Sequence, residues 1–225
     1  MKILPLIAVL FLSALTGCPP VTLKTIDLPV TSMKTGHTGF AGSMGYCFSA
    51  GDTPPSPFSP GPGEGLVGFD DFFRAGSNPF PCDDIRAIVF RTGILFDVSK
   101  FDSIVAANLS FDASHSLIRS GGQSTGGASS VATVLGVGTG AFTSAMPYTN
   151  EASLTPGEKS LDIGVTSQVL GWIKHEQPNF GFVIAGPHDV DKSNPPKDND
   201  ASVSFYENFR LRIVYNPSLN PRAPQ

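Results

Sequence analysis

The chain has 225 residues, of which 40% are hydrophobic and 15% charged, with 24 glycines and 20 prolines. A net charge of −4 and a pI near 5.5 exclude the basic surface on which nucleic-acid binding depends. Glycine and proline in such number exclude a helical bundle and point to short strands joined by many turns, and one all-β domain accounts for the length.

The first element is a leader. Lys2 precedes an apolar run from Ile3 to Leu15 that is too short to span a bilayer and of the right length for a signal-peptide core. It ends in Leu15-Thr16-Gly17-Cys18, which resembles the bacterial lipobox. The resemblance implies cleavage before Cys18, acylation of its thiol and export to the bacterial cell envelope, with the membrane as a partner held through the lipid. The expected organisation is a lipoprotein signal peptide at 1–17, a lipidated tether at 18–24, a sandwich domain at 25–217 and a flexible tail at 218–225. Cys47 and Cys82 remain as an even pair in an exported chain and are the disulfide candidates. A bond between them would stabilise the fold by about 4 kcal/mol in the chain-entropy model.

Thr25–Met33 alternates at Ile26, Leu28 and Val30 and reads as an edge strand because of Pro29. Lys34–Gly45 reads as loop. The Pro/Gly-rich stretch Asp52–Gly65 reads as a surface excursion in a segment spanning 46–84 if the bracketing Cys47 and Cys82 pair, and otherwise as a linker that makes 18–65 a semi-rigid stalk. Ile85–Val98 is a strand with a bend at Gly93. Val105–Phe111 alternates, with Val105, Ala107, Leu109 and Phe111 facing in. Ser120–Ser130 reads as low-complexity loop, Val131–Phe142 as a glycine-interrupted strand and Ala145–Lys159 as turns.

Leu161, Ile163 and Val165 alternate as a strand. Val165, Val169 and Trp172, the chain's only tryptophan, then recur at helical spacing on one face of a short helix, which favours a core position for Trp172 over a sugar-stacking platform. Pro178, Asn179 and Gly181 make a turn, and Phe182 and Ile184 resume a strand. His188–Asp200 is a polar loop. In Ser202–Tyr215, Val203, Phe205, Phe209, Leu211, Ile213 and Tyr215 share one face, with Arg210 and Arg212 on the other. These elements predict an all-β jelly-roll β-sandwich of eight or nine strands with one short helix.

Five of these motifs resemble the DNRLRE-type jelly-roll family, which is related to alginate-binding modules and disaggregatase-associated repeats. They are Phe96-Asp97-Val98, Ala107-Asn108-Leu109, Val165-Thr166 with Val169 and Trp172, Asn179-Phe180-Gly181, and Leu211–Tyr215. The resemblance spans about residues 85–216. Gly164 stands where the family has Asp, and Tyr46–Asp84 has no counterpart. It implies a non-catalytic surface module with polysaccharide as the ligand class.

Catalytic and metal motifs are weak. Gly122-Gln123-Ser124-Thr125-Gly126 matches the G-x-S-x-G elbow, with Asp162 and His175 downstream, but no apolar helix follows it. Asp189, Asp191, Ser193 and Asp200 echo a calcium loop, yet Asn194 replaces the required glycine and Pro195-Pro196 stiffens the turn. His37, His115, His175 and His188 lack metal-ligand spacing. Phe69, Asp70, Asp71, Phe72 and Phe73 form an aromatic–acidic cluster suited to a partner contact or to core filling. The sequence thus leads to a lipid-anchored envelope module, without cofactor, that binds polysaccharide. The alternatives are a protein–protein scaffold docking through 46–84 and, last, a serine hydrolase. It places function in the 46–84 excursion and in the loops at 120–130 and 188–200.

Overall fold

The computed structural model describes residues 21–41, 48–51, 60–73, 85–120, 123–127, 133–140, 148–154, 157–186 and 201–224. The strands are β1 (Lys24–Pro29), β2 (Ser32–Ala41), β3 (Phe48–Gly51), β4 (Gly65–Phe73), β5 (Ile85–Leu95), β6 (Ala106–Ser120), β7 (Gln123–Gly127), β8 (Thr133–Gly138), β9 (Tyr148–Leu154), β10 (Ser160–Gly164), β11 (Phe182–Ala185) and β12 (Ala201–Tyr215). One helix, α1 (Thr166–Ile173), lies between β10 and β11. The protein is an all-β, sandwich-like fold made from one curled antiparallel sheet.

Two fifteen-residue strands, β6 and β12, run the length of the molecule side by side. Their lower halves are flanked by β10 and β1 and form one layer. Their upper halves are flanked by β7 and β4. From β4 the sheet curls onward through β5, which carries β2 on its far edge, to β11, β8 and β9. The second layer thereby comes to face the first. Strict alternation supplies the core between them: Leu109 and Phe111 from β6, Leu211, Ile213 and Tyr215 from β12, Ile94 from β5, Leu135 and Val137 from β8, and Phe182 and Ile184 from β11.

One alternation in the sequence serves two cores. Val203 and Phe205 pack with Leu66, Ile88 and Phe90 in a separate upper cluster, whereas Tyr206, Phe209 and Leu211 join the main core. Register shifts after Phe205 and after Glu207 make this switch, and Asn208 takes φ 57° in the bulge. Asn208 Nδ2 donates to Asp112 Oδ2 at 3.1 Å, and Ser160 Oγ donates to Asp112 Oδ1 at 2.5 Å. The bulge is thus fastened to β6, and through Asp112 to β10 beyond it. The single face expected along Ser202–Tyr215 is therefore divided.

Other expectations are corrected. Lys34–Gly45 was expected as loop, but Ser32–Ala41 is a ten-residue strand paired with β5, because backbone pairing tolerates its glycines and threonines. Ser120–Ser130 contains β7, and Ala145–Lys159 contains β9. The excursion at 46–84 contributes β3 and β4, and β4 is a central strand between β12 and β5. Gly68 permits that placement: its φ is +131°, and a Cβ there would lie 2.0 Å from the Ser202 carbonyl oxygen. Val105 does not face in; it precedes β6 and is exposed. The described strands number twelve, against the eight or nine expected.

The two ends of the molecule differ. The start of β1, the end of β12, the start of β6 and α1 meet at one pole: Lys24 pairs with Tyr215, the Val105 N–H donates to the Val214 carbonyl, and the Val165 N–H donates to the Ala107 carbonyl. The other pole gathers the ends of β2, β4 and β6 and the start of β12, which lead into residues 42–47, 74–84, 121–122 and 187–200.

Candidate functional site

The α1 pole carries a cleft of about 550 Å³. Helix α1 forms one wall. Most of its residues, Thr166, Val169, Gly171, Trp172 and Ile173 among them, are weak helix formers, so packing and an external hold make it a helix: Thr166 Oγ1 accepts the Ala107 N–H at 2.9 Å, in place of an N-cap side chain. Val169 and Trp172 turn inward, and Trp172 packs against Phe182 with ring centroids 4.8 Å apart. The core position expected for Trp172 is observed. The same residue also lines the cleft.

The helix ends on a left-handed residue. His175 has φ 58°, the His175 N–H donates to the Trp172 carbonyl, and the Glu176 N–H donates to the Gly171 carbonyl. This is the Schellman arrangement, usually completed by glycine. The chain then turns so that Gln177 lies over Gly171, where a Cβ would meet the Gln177 amide nitrogen at 2.9 Å. Asn179 closes the turn: its Nδ2 donates to the Phe96 carbonyl at 2.9 Å, and its Oδ1 accepts the Gly181 N–H at 3.0 Å. Gly181 has φ +81°, and a Cβ there would lie 2.3 Å from the Ile94 carbonyl oxygen.

The opposite wall is the loop after β5 and the C-terminal segment behind it. Asp97 Oδ1 accepts both the Ser99 N–H at 2.9 Å and the Ser99 hydroxyl at 2.6 Å. These two bonds, with Lys100 nearby, hold the Asp97 carboxyl below the usual carboxylate range. It is thus a charged acceptor at the mouth. Asp102 pairs with Arg222. Residues 218–224, within the segment 218–225 expected as a flexible tail, are docked. Asn220 is fully buried; its Oδ1 accepts the Asp102 and Ser103 N–H groups at 2.8 and 3.0 Å, and its Nδ2 donates to the Asn216 carbonyl at 2.8 Å. The Tyr215 hydroxyl donates to the Pro224 carbonyl at 2.6 Å. A second cavity of about 270 Å³ runs beside β1 and shares Asp97 and Phe101 with the first.

One polar atom in this region is unmatched. The Trp172 indole N–H is buried and has no hydrogen-bond partner among the described residues. Such a group ordinarily finds an acceptor, because leaving it bare costs about 1–3 kcal/mol. The cleft that Trp172 lines also carries two carboxylates, two side-chain amides, an imidazole and a guanidinium. That set suits a ligand bearing several hydroxyls on a partly apolar ring.

The residues singled out from the sequence fall in different places. Ser124 is in β7, paired with Arg119, and not at a strand-to-helix turn. Asp162 is in β10 opposite Ser110 and accepts from Asn108 Nδ2 at 3.0 Å. Ser124 and Asp162 are thus anchored to β6 about 30 Å apart along the strand, and His175 lies in the cleft; the three are not brought together. Ser99 shares the cleft with His175, but its hydroxyl proton goes to Asp97. His115 stacks on Phe205 at 3.9 Å, and His37 is buried in β2. Phe69 and the buried Asp70 lie in β4, as does the backbone of Asp71, Phe72 and Phe73. Cys18, Cys47, Cys82, His188, Asp189, Asp191, Ser193 and Asp200 lie outside the described residues. Among the described residues no group of three His, Cys, Asp or Glu side chains is placed to hold a metal ion. The cleft residues Asp97, Gln177 and Arg222 were missed, since loop polar residues carry no periodic signal. Only the left-handed position after the helix was open to inference, from the Pro178-Asn179-Gly181 turn.

Comparison of the chain with known family models finds no match. Comparison with curated proteins likewise finds none.

Proposed function

We propose that this protein is a lipid-anchored module of the bacterial cell envelope that binds a saccharide in the α1 cleft and makes or breaks no bond in it. The observation that carries the reading is the buried, partnerless indole N–H of Trp172 in a cleft rimmed by Asp97, His175, Gln177 and Arg222. The ligand would have to uncover the indole N–H on entry, and a sugar hydroxyl would then accept from it. The Asp97 carboxylate would receive a hydroxyl proton in return, and Gln177 would serve as donor or acceptor. The lipobox-like Leu15–Cys18 supplies the anchoring half of the reading.

Calorimetric titration with neutral and acidic oligosaccharides tests the binding half. Saturable binding is expected, and Trp172→Phe, which keeps the ring but removes the donor, should weaken it about 3- to 10-fold, the equivalent of one buried hydrogen bond. The sole tryptophan also reports directly, through a shift in emission as the ligand enters. The reading fails if no oligosaccharide binds at about millimolar concentration, or if Trp172→Phe and Gln177→Ala bind as the parent does.

A further inference from the structure

Among the described residues, five large apolar side chains are exposed: Val21 at 67%, Leu23 at 47%, Val105 at 53%, Ile118 at 47% and Leu219 at 59%. Ile118 belongs to the upper half of β6. The other four converge on the α1 pole. Val21 and Leu23 precede Lys24, which pairs with Tyr215. Val105 donates its N–H to the carbonyl of Val214, the residue before Tyr215. Leu219 ends the 3-10 turn Pro217–Leu219 that follows Tyr215. Three separate stretches of chain therefore present apolar side chains around the end of one strand pair, while the interior of the pole is closed by Phe101, Ile104 and Ala223. Scattered single exposures are ordinary on a protein surface, but four of five at one pole are not.

We infer that this pole is a bilayer-docking surface: Val21, Leu23, Val105 and Leu219 enter the headgroup layer, and the sandwich stands on the membrane with its α1 end down. The occupant follows from the chain that leads into the patch. Cys18 is three residues before Val21, a span of at most about 11 Å when extended. If Cys18 carries the lipid, Val21 is confined close to the headgroups, and the other three follow because β1 is paired to β12. The inference rests on the lipid-anchor reading for that confinement. Held so near, even a weak apolar contact is made, because tethering turns it into an intramolecular event. The geometry also narrows the ligand of the cleft, which opens at this same pole, to saccharide close to the membrane surface.

Hydrogen exchange tests the surface, and the intact mass of the full chain recovered from bacterial membranes tests the anchor separately. In phosphatidylethanolamine/phosphatidylglycerol nanodiscs, amides in 21–24, 103–106 and 216–220 should exchange at least about three-fold more slowly than in residues 19–225 free in solution, with 116–119 unchanged. A second arm makes the test independent of natural lipidation: residues 19–225, which contain every described element, are held on nickel-chelating lipid through an N-terminal histidine tag. The same protection is expected there, and Val105→Ser with Leu219→Ser should abolish it. Loss of about tenfold in association with untethered vesicles is expected from the same pair, since each half-exposed side chain contributes only part of its transfer free energy. Unchanged exchange on the tethered discs overturns the docking surface even where the mass shows acylated Cys18. Protection that appears without lipid and grows with protein concentration also overturns it, by assigning the patch to a second copy. An unmodified Cys18 alongside protection on the tethered discs removes the anchor and leaves the surface standing.

Discussion

Asn220 provides the sharpest test of how the cleft is held. Its side chain is fully buried and makes three hydrogen bonds, all to backbone: it accepts from Asp102 and Ser103 and donates to Asn216. It thereby clips the C-terminal segment to the loop that forms one wall of the cleft. Asn220→Ala removes all three bonds. At about 0.5–1.5 kcal/mol net for each, the sum is roughly 1.5–4.5 kcal/mol. Asp102 is exposed and Ser103 partly so, and water can replace the lost acceptor there. The expected loss is therefore in the middle of that range, about 2–3 kcal/mol. With a urea m-value of about 3 kcal/mol/M, the midpoint falls by about 0.7–1 M. Trp172 emission follows the transition. Asn220→Asp is expected to be at least as damaging: its carboxylate keeps the two accepted bonds but faces the Asn216 carbonyl without a proton to give, and it buries a charge. Arg222→Ala, which removes only the exposed pair with Asp102, should cost less than about 1 kcal/mol. A loss below about 0.5 kcal/mol for Asn220→Ala, or an Arg222→Ala loss larger than it, would refute the reasoning.

Three further outcomes follow from individual residues. His175 holds a left-handed φ of 58° without contributing to the core, so His175→Gly should raise stability by about 0.5–1 kcal/mol in urea unfolding; an equal or lower midpoint contradicts this. Gly181→Ala should destabilise by more than about 2 kcal/mol, since its φ is positive and a Cβ would overlap the Ile94 carbonyl, and a near-neutral midpoint would show that the turn can move. Acid should weaken the fold. Asp112 is held below its ordinary range by the Ser160 hydroxyl and Asn208, and Asp27 by Arg212, so both favour the folded state when ionised. Their stabilisation is present above the unfolded carboxylate pKa of about 4 and is lost as pH falls through the lower folded values. Asp112→Asn should make the urea midpoint fall less steeply between pH 5 and 3, and an unaltered slope would exclude Asp112 as a contributor.

The legible parts of the fold were those whose side chains repeat with the backbone. Leu109 and Phe111, Phe182 and Ile184, and Leu211, Ile213 and Tyr215 could be read because alternate residues of a half-buried strand share a face. Val169 and Trp172 could be read because they recur at the helical period. Strands such as β2 and β7 were illegible for the converse reason: Met33–Gly39 and Gln123–Gly127 are polar or glycine-rich, and what makes them strands is pairing with β5 and β6, distant in sequence. The division of β12 between two cores was hidden in Asn208, whose αL conformation shifts the register without altering the run of apolar residues. The cleft was least visible of all. Its walls come from residues near 97–102, 172–179 and 220–222, and no local pattern joins positions so far apart.

That separation bears on how the proposed site and the proposed anchor would work together. The loop 97–104, the helix end and residues 216–224 fill the α1 pole, and the chain enters the fold at the same pole through Val21–Leu23. The loops expected to carry function, 120–130 and 188–200, join described strands at the opposite pole, whereas the described cleft lies at this one. A saccharide held in the cleft by a protein standing on this pole has to reach it from the membrane side or laterally. A long free polymer approaching from outside would instead meet the pole from which 42–47, 74–84, 121–122 and 187–200 emerge. The length dependence of binding separates these routes on protein tethered to lipid. Binding in the cleft should saturate at one or two sugar units and weaken as a chain is extended at both ends. Binding at the opposite pole should strengthen with chain length and be indifferent to Trp172→Phe.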